Sequence, residues 1–457
     1  MRAYWVSLVN DKGNAAVRAI QVAVVGHTNT GKTSLIRTLL RSRTFGDVAN
    51  SAGTTRHVEK VGLRVGGEKI LEFFDTPGLE DSSALLDTLD QQSGTARGVL
   101  ETFVVNPAPE LEQEAKVIRQ ALKSNVLLYV VDVRAQRLEK YRDELSIFSR
   151  LGVPIIPVFN FIVGQETALA AWRKVMVEHN LHTALEFDTV AFNFEAEKRL
   201  YQKLQGVLEP HYEQIQRLID LRSEQWQKTC TAAFSRSTQL VSDCAVLRVH
   251  KGSGEQSEQT VKDALQDRVR NSEQKCLLDL LRLFSFTAAD IEIAQLPLSN
   301  GTWKTDLFSF ETLKMFGLDA RSSALKGAAA GAGLDLMVGG LSLGVATTLG
   351  AIAGAGFSTV KRHGKNLAAV FNQNDFVCLD DASLELLFLR QRDLLARLMQ
   401  RGHAAQQRIN VSAPRTDGTP EGWKDVLRGL RSGQISQGEH NHAYSAAQQD
   451  LIRLLRE

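Results

Sequence analysis

Gly26-His27-Thr28-Asn29-Thr30-Gly31-Lys32-Thr33 fits the spacing G-x-x-x-x-G-K-[ST] and stands between two segments of contrasting pattern. Before it, Ala19 to Val25 is short and mostly apolar; after it, Ser34 to Leu40 carries apolar residues at helical intervals. A strand passing through such a loop into a helix is the context in which this spacing cradles phosphate. The glycines let the main chain wrap tightly. The amides from Asn29 to Thr33 then point inward at a helix N-terminus, where negative charge is stabilised. Lys32 is placed to neutralise β- and γ-phosphates and the Thr33 hydroxyl to bind Mg2+. Gly26, His27, Thr28, Asn29, Thr30, Gly31 and Ser34 complete the candidate nucleotide-binding run.

The same alternation continues outward. His57 to Val65 and Lys69 to Asp75 read as strands joined by Gly66-Gly67, and Asn125 to Val133 and Val153 to Phe161 as strands buried on both faces. Leu138 to Arg150 reads as a helix, and a further strand is expected near Thr189 to Phe192. Strands alternating with helices predict an α/β domain, doubly wound on a mainly parallel sheet. Leu79 to Ser124 is a long excursion containing Asn106-Pro107-Ala108-Pro109, a helix stop and a new start. After Glu195 the pattern turns helical. Glu195 to His250 is broken at Pro210, Glu255 to Phe284 has a core face of Leu265, Val269, Cys276, Leu280 and Leu283, and Ser383 to Gly402 gives another helix. Lys251 to Gly254 and Ser412 to Gly422 read as loops. At 457 residues the chain is too long for one ordinary domain. The expected division is 1–215 for the α/β domain and 216–457 for a mostly α-helical domain.

Asp75-Thr76-Pro77-Gly78 follows its strand as a D-x-x-G element, with Asp75 set to hold the Mg2+ shell and the Gly78 amide to sense a γ-phosphate. Between the two motifs lies Ser51-Ala52-Gly53-Thr54-Thr55-Arg56. In this order the three motifs resemble the phosphate loop and both switches of the Era/TrmE/EngA group of bacterial P-loop GTPases, over about the first 200 residues. The resemblance implies that Thr55 is the Mg2+-binding switch I threonine and, with Lys32, a catalytic residue; Thr54 takes that place if the register slips by one. It also implies a potassium ion at Asn29, whose other reading is a structural hydrogen bond within the loop. Leu79 stands where Ras-like enzymes place a water-orienting glutamine, so Leu79 does no catalysis. The compensating charge would come from a monovalent cation, a partner or a nucleotide-dependent dimer.

The base-reading element departs from the group. Where N-K-x-D is due, the chain has Asn160-Phe161-Ile162-Val163: the asparagine is kept, the lysine and aspartate are not. A valine cannot accept hydrogen bonds from a guanine edge, so GTP is the expectation from resemblance while ATP stays open. An S-A-[KL] element is not recognisable near Phe192 to Phe194.

A second segment stands out. Leu325 to Val360 is glycine- and alanine-rich, free of charge from Leu336 to Val360, and followed by Lys361-Arg362-His363-Gly364-Lys365. Gly327/Gly331, Gly340/Gly344 and Gly350/Gly354 repeat G-x-x-x-G, which suits close helix packing in a glycine-zipper hairpin. The alternative is a membrane surface met by 325–365, the run being long enough to span ~30 Å of hydrocarbon. The N-terminus has no sustained apolar stretch before Asp11 and Lys12, so no signal peptide is expected and the chain is expected in the cytoplasm, peripheral to or inserted at the inner membrane if that segment engages lipid. Four scattered cysteines without a CxxC pair argue against a disulfide framework or zinc site, and the pair His440/His442 lacks further ligands. A net charge of +2 selects no partner class, and no nucleic-acid module such as a KH G-x-x-G loop is recognisable. The reading is a Mg2+-dependent, potassium-stimulated GTP switch relaying its state through the helical domain to an unknown protein partner. Its rivals are a nucleotide-gated membrane scaffold and an ATP-using or promiscuous hydrolase.

Overall fold

In the computed structural model, β1 (Ile20–Val25) has parallel neighbours on both sides, which is why it is apolar at five of its six positions. The described residues are 18–42, 58–65, 67–136, 139–250, 258–286, 298–299, 302–303, 307, 376–403, 419–432 and 442–456. They form two compact units: Met1–Trp226 with Arg401–Ala405, and Gln227–Gln400 with Gln406–Glu457.

The first unit is built on a six-stranded sheet in the order β2-β3-β1-β4-β5-β6. Its strands are β1, β2 (Glu59–Val65), β3 (Glu68–Asp75), β4 (Val126–Asp132), β5 (Ile155–Asn160) and β6 (Leu185–Glu186). All pairs are parallel except the edge hairpin β2–β3. Crossover helices cover both faces, as parallel strands require. On one face α2 (Ser82–Asp90), α3 (Ala96–Phe103), α4 (Glu112–Lys123), α5 (Glu139–Ser149) and α6 (Glu166–Glu178) pack around Tyr129, Phe148 and Trp172. On the other, α1 (Lys32–Leu40), α7 (Phe194–Val207) and the start of α8 (Tyr212–Val246) pack on Ile20, Val22, Val24, Leu128 and Val158. Pro107 and Pro109 separate α3 from a 3-10 turn and α4, and Pro210 lies in the 3-10 turn between α7 and α8.

The strand expected at Thr189 to Phe192 is instead two residues long and earlier, at Leu185–Glu186. The chain then turns at Asp188, whose carboxylate accepts from the amides of Val190 and Ala191. That side-chain turn takes the donors a longer strand would need. Ala191 pairs across a single antiparallel bridge with Arg401.

The second unit is helical: α9 (Glu258–Leu283), α10 (Asp381–Met399), α11 (Trp423–Ser432), α12 (His442–Arg456) and the later stretch of α8. Leu265, Val269, Cys276 and Leu280 are buried on α9, as the spacing predicts, while Leu283 at its end is only partly buried. Short strand pairings not expected from the pattern join β7 (Arg248–His250) with β10 (Phe376–Cys378), and β8 (Leu298–Ser299) with β9 (Thr302–Trp303), both antiparallel, besides the Ala191 bridge. Two or three residues are too few to show period-2 alternation. Switch I (51–56, including Thr54 and Thr55), the glycine-alanine segment 325–360 with its basic flank, most of 412–422, and the histidine at position 440 lie outside the described residues; His442 begins α12. Among the described residues no helix is long and apolar enough to cross a membrane.

Candidate functional site

Gly26 follows β1 at φ 131°, and a Cβ there would sit 2.5 Å from the carbonyl oxygen of Val130 on β4, so only glycine lets the loop leave the sheet here. Asn29 takes the left-handed region at φ 64°, and Gly31 caps α1 at φ 95° against the side-chain amide of Asn160. The Thr30 hydroxyl donates to the carbonyl of His27 at 2.9 Å and closes the loop on itself. Lys32 reaches back across it, donating from Nζ to the carbonyls of Gly26 (3.0 Å) and His27 (2.8 Å). Burial pushes its ammonium down to about 8, while Asp75 and Glu144 pull it upward.

The second motif meets the first side by side because β3 lies next to β1. Thr33 Oγ1 donates to Asp75 Oδ2 at 2.5 Å, and Thr76 Oγ1 donates to the carbonyl of Val24 at 2.8 Å. Burial raises the Asp75 carboxyl to about 6, against the pull of the Thr33 hydrogen bond and Lys32. Its Oδ1 is buried with no hydrogen-bond partner among the described residues. A buried, unsatisfied carboxylate oxygen beside a threonine hydroxyl is an oxygen donor set that fits Mg2+. Gly78 lies on the loop itself: a Cβ there would be 2.5 Å from Thr28 Oγ1 and 2.6 Å from the Thr28 amide nitrogen. Leu79 is buried in the core and presents no polar group.

His27 is tied outward rather than toward the phosphates. Its Nδ1 is 2.8 Å from Glu144 Oε1, and Lys140 Nζ is 2.6 Å from Nε2. An ammonium can only donate, so Nε2 accepts and Nδ1–H donates to Glu144, which also accepts from the Tyr129 hydroxyl at 2.8 Å. The element after Gly78 is held by α4 and α5. Glu114 of α4 accepts from the amides of Glu80 (3.0 Å) and Asp81 (3.1 Å), and Ser82 Oγ donates to the carbonyl of Lys140. Sequence reading had no signal for Glu114 or Glu144, because both sit on exposed-looking amphipathic helices.

At the end of β5, Asn160 is fully buried. Its Nδ2 donates to the carbonyl of Thr30 (2.9 Å), and its Oδ1 accepts from the amides of Phe161 and Thr189 and from Thr189 Oγ1. It therefore binds the phosphate loop to the loops after β5 and β6. Phe161 takes φ 57°, its ring lies against Gly31, and the Arg134 guanidinium stacks 3.9 Å from the ring centroid. Arg134 is oriented by Asp132 through Nε (2.9 Å) and Nη2 (2.8 Å). Val163 is 72% exposed. Asp188 accepts from the Ile162 amide of that loop at 3.1 Å as well as from Val190 and Ala191. Asp188 and Thr189, which sequence reading did not single out for the site, join the loop after β6 to Ile162 and Asn160.

Residues 21–161 match a family model described as 50S ribosome-binding GTPase, and residues 173–456 match one described as a domain of unknown function (DUF3482). Among similar proteins, GTPase Der of Nitratiruptor sp. is 24% identical over 263 residues, covering 57% of this chain and 46% of that protein. The tRNA modification GTPase MnmE of Rhodospirillum rubrum is 34% identical over 128 residues, covering 25% of this chain and 28% of that protein. The chain thus spans less than half the length of these relatives. A solved structure of Era in complex with MgGDPNP and nucleotides 1506–1542 of 16S ribosomal RNA matches at 19% identity and a TM-score of 0.30, covering 42% of this chain and 56% of that one.

Proposed function

Because the chain belongs to the family defined by the DUF3482 region and carries an Era/TrmE/EngA-like P-loop GTPase domain ahead of it, we propose that it binds and hydrolyses GTP as a regulatory switch. The observation that carries this reading is the meeting of the two motifs: Lys32 donates to the Gly26 and His27 carbonyls, Thr33 donates to Asp75, and Gly78 lies against Thr28. Thr33 and Asp75 would hold Mg2+, joined by Thr55 of switch I; the ion supplies neutralisation of the phosphate charge. The loop amides and Lys32 bind and orient the triphosphate, and the Gly78 amide registers its terminal phosphate. A dehydrated ammonium such as Lys32 suits that task, since its charge is not screened by water.

Asn160 and Phe161 would hold the base side, Phe161 and Arg134 offering a flat face in place of the missing lysine. Asn29, in the left-handed region at the loop's crest, is the residue proposed to bring potassium. Nucleotide state would reach the helical unit through 76–83, whose amides Glu114 grips, and through switch I. In the full-length protein, Lys32→Ala should lower GTP affinity at least about 100-fold, the scale of a lost charge-assisted phosphate contact. Unchanged affinity would overturn the site. Turnover in potassium exceeding that in sodium supports the Asn29 assignment; equal turnover removes it.

A second reading is a nucleotide-gated scaffold on a membrane surface. It is favoured by the charge-free run 336–360 with Lys361, Arg362 and Lys365 behind it. Flotation with anionic vesicles separates the two, since a protein that never co-floats, with or without GTP, is no membrane scaffold.

A further inference from the structure

The family model that covers 173–456 begins inside α6, before the nucleotide-binding sheet is complete. Strand β6, the Asp188–Ala191 loop and the segment Arg401–His403 all fall within it. These pieces meet. The Gly402 amide donates to the carbonyl of Val190 at 3.0 Å, and Ala191 bridges to Arg401. Arg401, Gly402 and His403 are all buried. A Cβ on Gly402 would drive into the carbonyl oxygen of Thr189, so no side chain fits there. The same Thr189 donates through its amide and hydroxyl to Asn160 Oδ1, and its carbonyl accepts from Thr38 Oγ1 of α1. Asn160 in turn donates to Thr30 of the phosphate loop. Hydrogen bonds thus link Gly402 to Val190, Thr189 to Asn160 and Asn160 to Thr30, with the peptide bond joining Thr189 to Val190.

We infer that residues 401–403 belong to the nucleotide site, with Gly402 as a positioning residue that fixes the loop after β6 beside the base. This rests on the assignment of the Asn160 loop to the base side. The physical reason is that β6 is only two residues long, its ladder with β5 running through Leu185 and Glu186 and ending at the Phe187 amide, which donates to the carbonyl of Phe159 at 2.9 Å. So short an edge strand leaves the loop that follows it to contacts outside the ladder, those of Asp188 and Thr189 among them. The antiparallel contact from Arg401 and Gly402 supplies, from the far side, the main-chain pairing that β6 lacks. Since α10 ends at Met399, two residues before Arg401, the strap is covalently continuous with a helix of the second unit. Base-side affinity therefore depends on the chain well beyond the residues that match the GTPase model.

The test uses full-length protein and two ligands with Mg2+: GTP, which has a base, and inorganic tripolyphosphate, which has none. Gly402→Val should weaken GTP about tenfold, the value of one lost positioning contact, and leave tripolyphosphate within about twofold. Unchanged GTP affinity, or equal loss of both ligands, would overturn the inference; a merely destabilised fold gives equal loss. Lys32→Ala should abolish both ligands. Failure there strikes the site assignment, whereas failure at Gly402 strikes only the strap. Should Gly402→Val not fold, hydrogen exchange of the wild-type protein decides: the Gly402 amide should be protected more by GDP than by tripolyphosphate, and equal protection refutes the role.

Discussion

In the nucleotide-binding unit one set of buried polar side chains crowds a single rim of the sheet: Thr30, Lys32, Thr33, Asp75, Thr76, Asn160, Asp188 and Thr189 all stand at or just past the carboxyl ends of β1, β3, β5 and β6. In the helical unit they are spread along helix interfaces instead. Arg390 pairs with Glu273 at 3.0 Å, and Gln391 accepts from Ser237 Oγ at 3.2 Å and from Cys276 Sγ at 3.6 Å. The first set gathers where β1, β3, β5 and β6 end; the second joins α8, α9 and α10 to one another. Polar groups gathered at strand ends serve a ligand, because parallel strands aim their chemistry at that crevice. Polar groups paired across helices choose which helix faces meet, a role for which burial costs stability and gains register. The comparison assigns chemistry to one unit and packing specificity to the other.

Each unit also buries one arginine–glutamate pair, which lets the comparison be broken directly. Glu197, fully buried, accepts from Arg222 at 2.7 Å and from the Tyr201 hydroxyl at 3.0 Å, while Arg222 donates to the carbonyl of Leu39 at the end of α1. Removing either glutamate strands a guanidinium in the interior, at a cost of about 3–5 kcal/mol. Urea unfolding should show that loss for both Glu197→Ala and Glu273→Ala. Saturating Mg-GDP at a hundred times its Kd should return about 2.7 kcal/mol to the Glu197→Ala protein. It should return nothing to the transition weakened by Glu273→Ala if the two units unfold independently. Equal rescue would mean that both sets of buried polar groups belong to one cooperative unit, and the division drawn above would fall.

How much of this was legible depends on the range over which a residue acts. The places of Gly26, Lys32, Thr33, Asp75 and Gly78 were readable because each follows from the turn that it occupies and the strand before it. The buried runs of β4 and β5 were readable because strands covered on both faces need apolar residues at every position. Glu114 and Glu144 were not, since a carboxylate on an amphipathic helix looks solvated until a neighbouring loop supplies its donors. Thr189 was misplaced into a strand because β-branched and aromatic residues follow it, while Asp188 overrides that preference by turning the chain. Gly402 was beyond reach: it reads as a helix-ending glycine, and its contact with Val190 spans more than two hundred positions.

A smaller effect is expected where α11 meets α12. A Cβ on Gly429 would lie 2.6 Å from the Cβ of Ala447 and 3.1 Å from the carbonyl oxygen of Ala443. Gly429→Ala gains about 1 kcal/mol of helix propensity but must push these closely packed helices apart, costing about 1–3 kcal/mol. A net loss in urea midpoint supports packing as the occupation of this unit. A gain would mean the contact is loose.

The smallest effect tests whether a half-buried charge in the helical unit has any task of its own. Asp380 caps α10, its Oδ1 accepting from the Ser383 amide at 2.7 Å and its Oδ2 from the Ser383 hydroxyl at 3.2 Å. Burial nonetheless raises its carboxyl above the ordinary value, with the neighbouring Asp381 adding to the rise. A carboxyl raised on folding binds protons more tightly in the native state. Its ionisation therefore costs stability as pH climbs from the unfolded pKa through the folded one, and that cost vanishes below both. Asp380→Ala should lose about 1 kcal/mol at neutral pH, the value of the cap. Asp380→Asn keeps an acceptor for the Ser383 amide without the charge, so it should lose less than the alanine variant. Its standing relative to wild type should worsen as pH falls and the wild-type carboxyl is neutralised. An asparagine variant as damaged as the alanine one, at every pH, would show that the charge itself is needed there and that the helical unit holds more than packing.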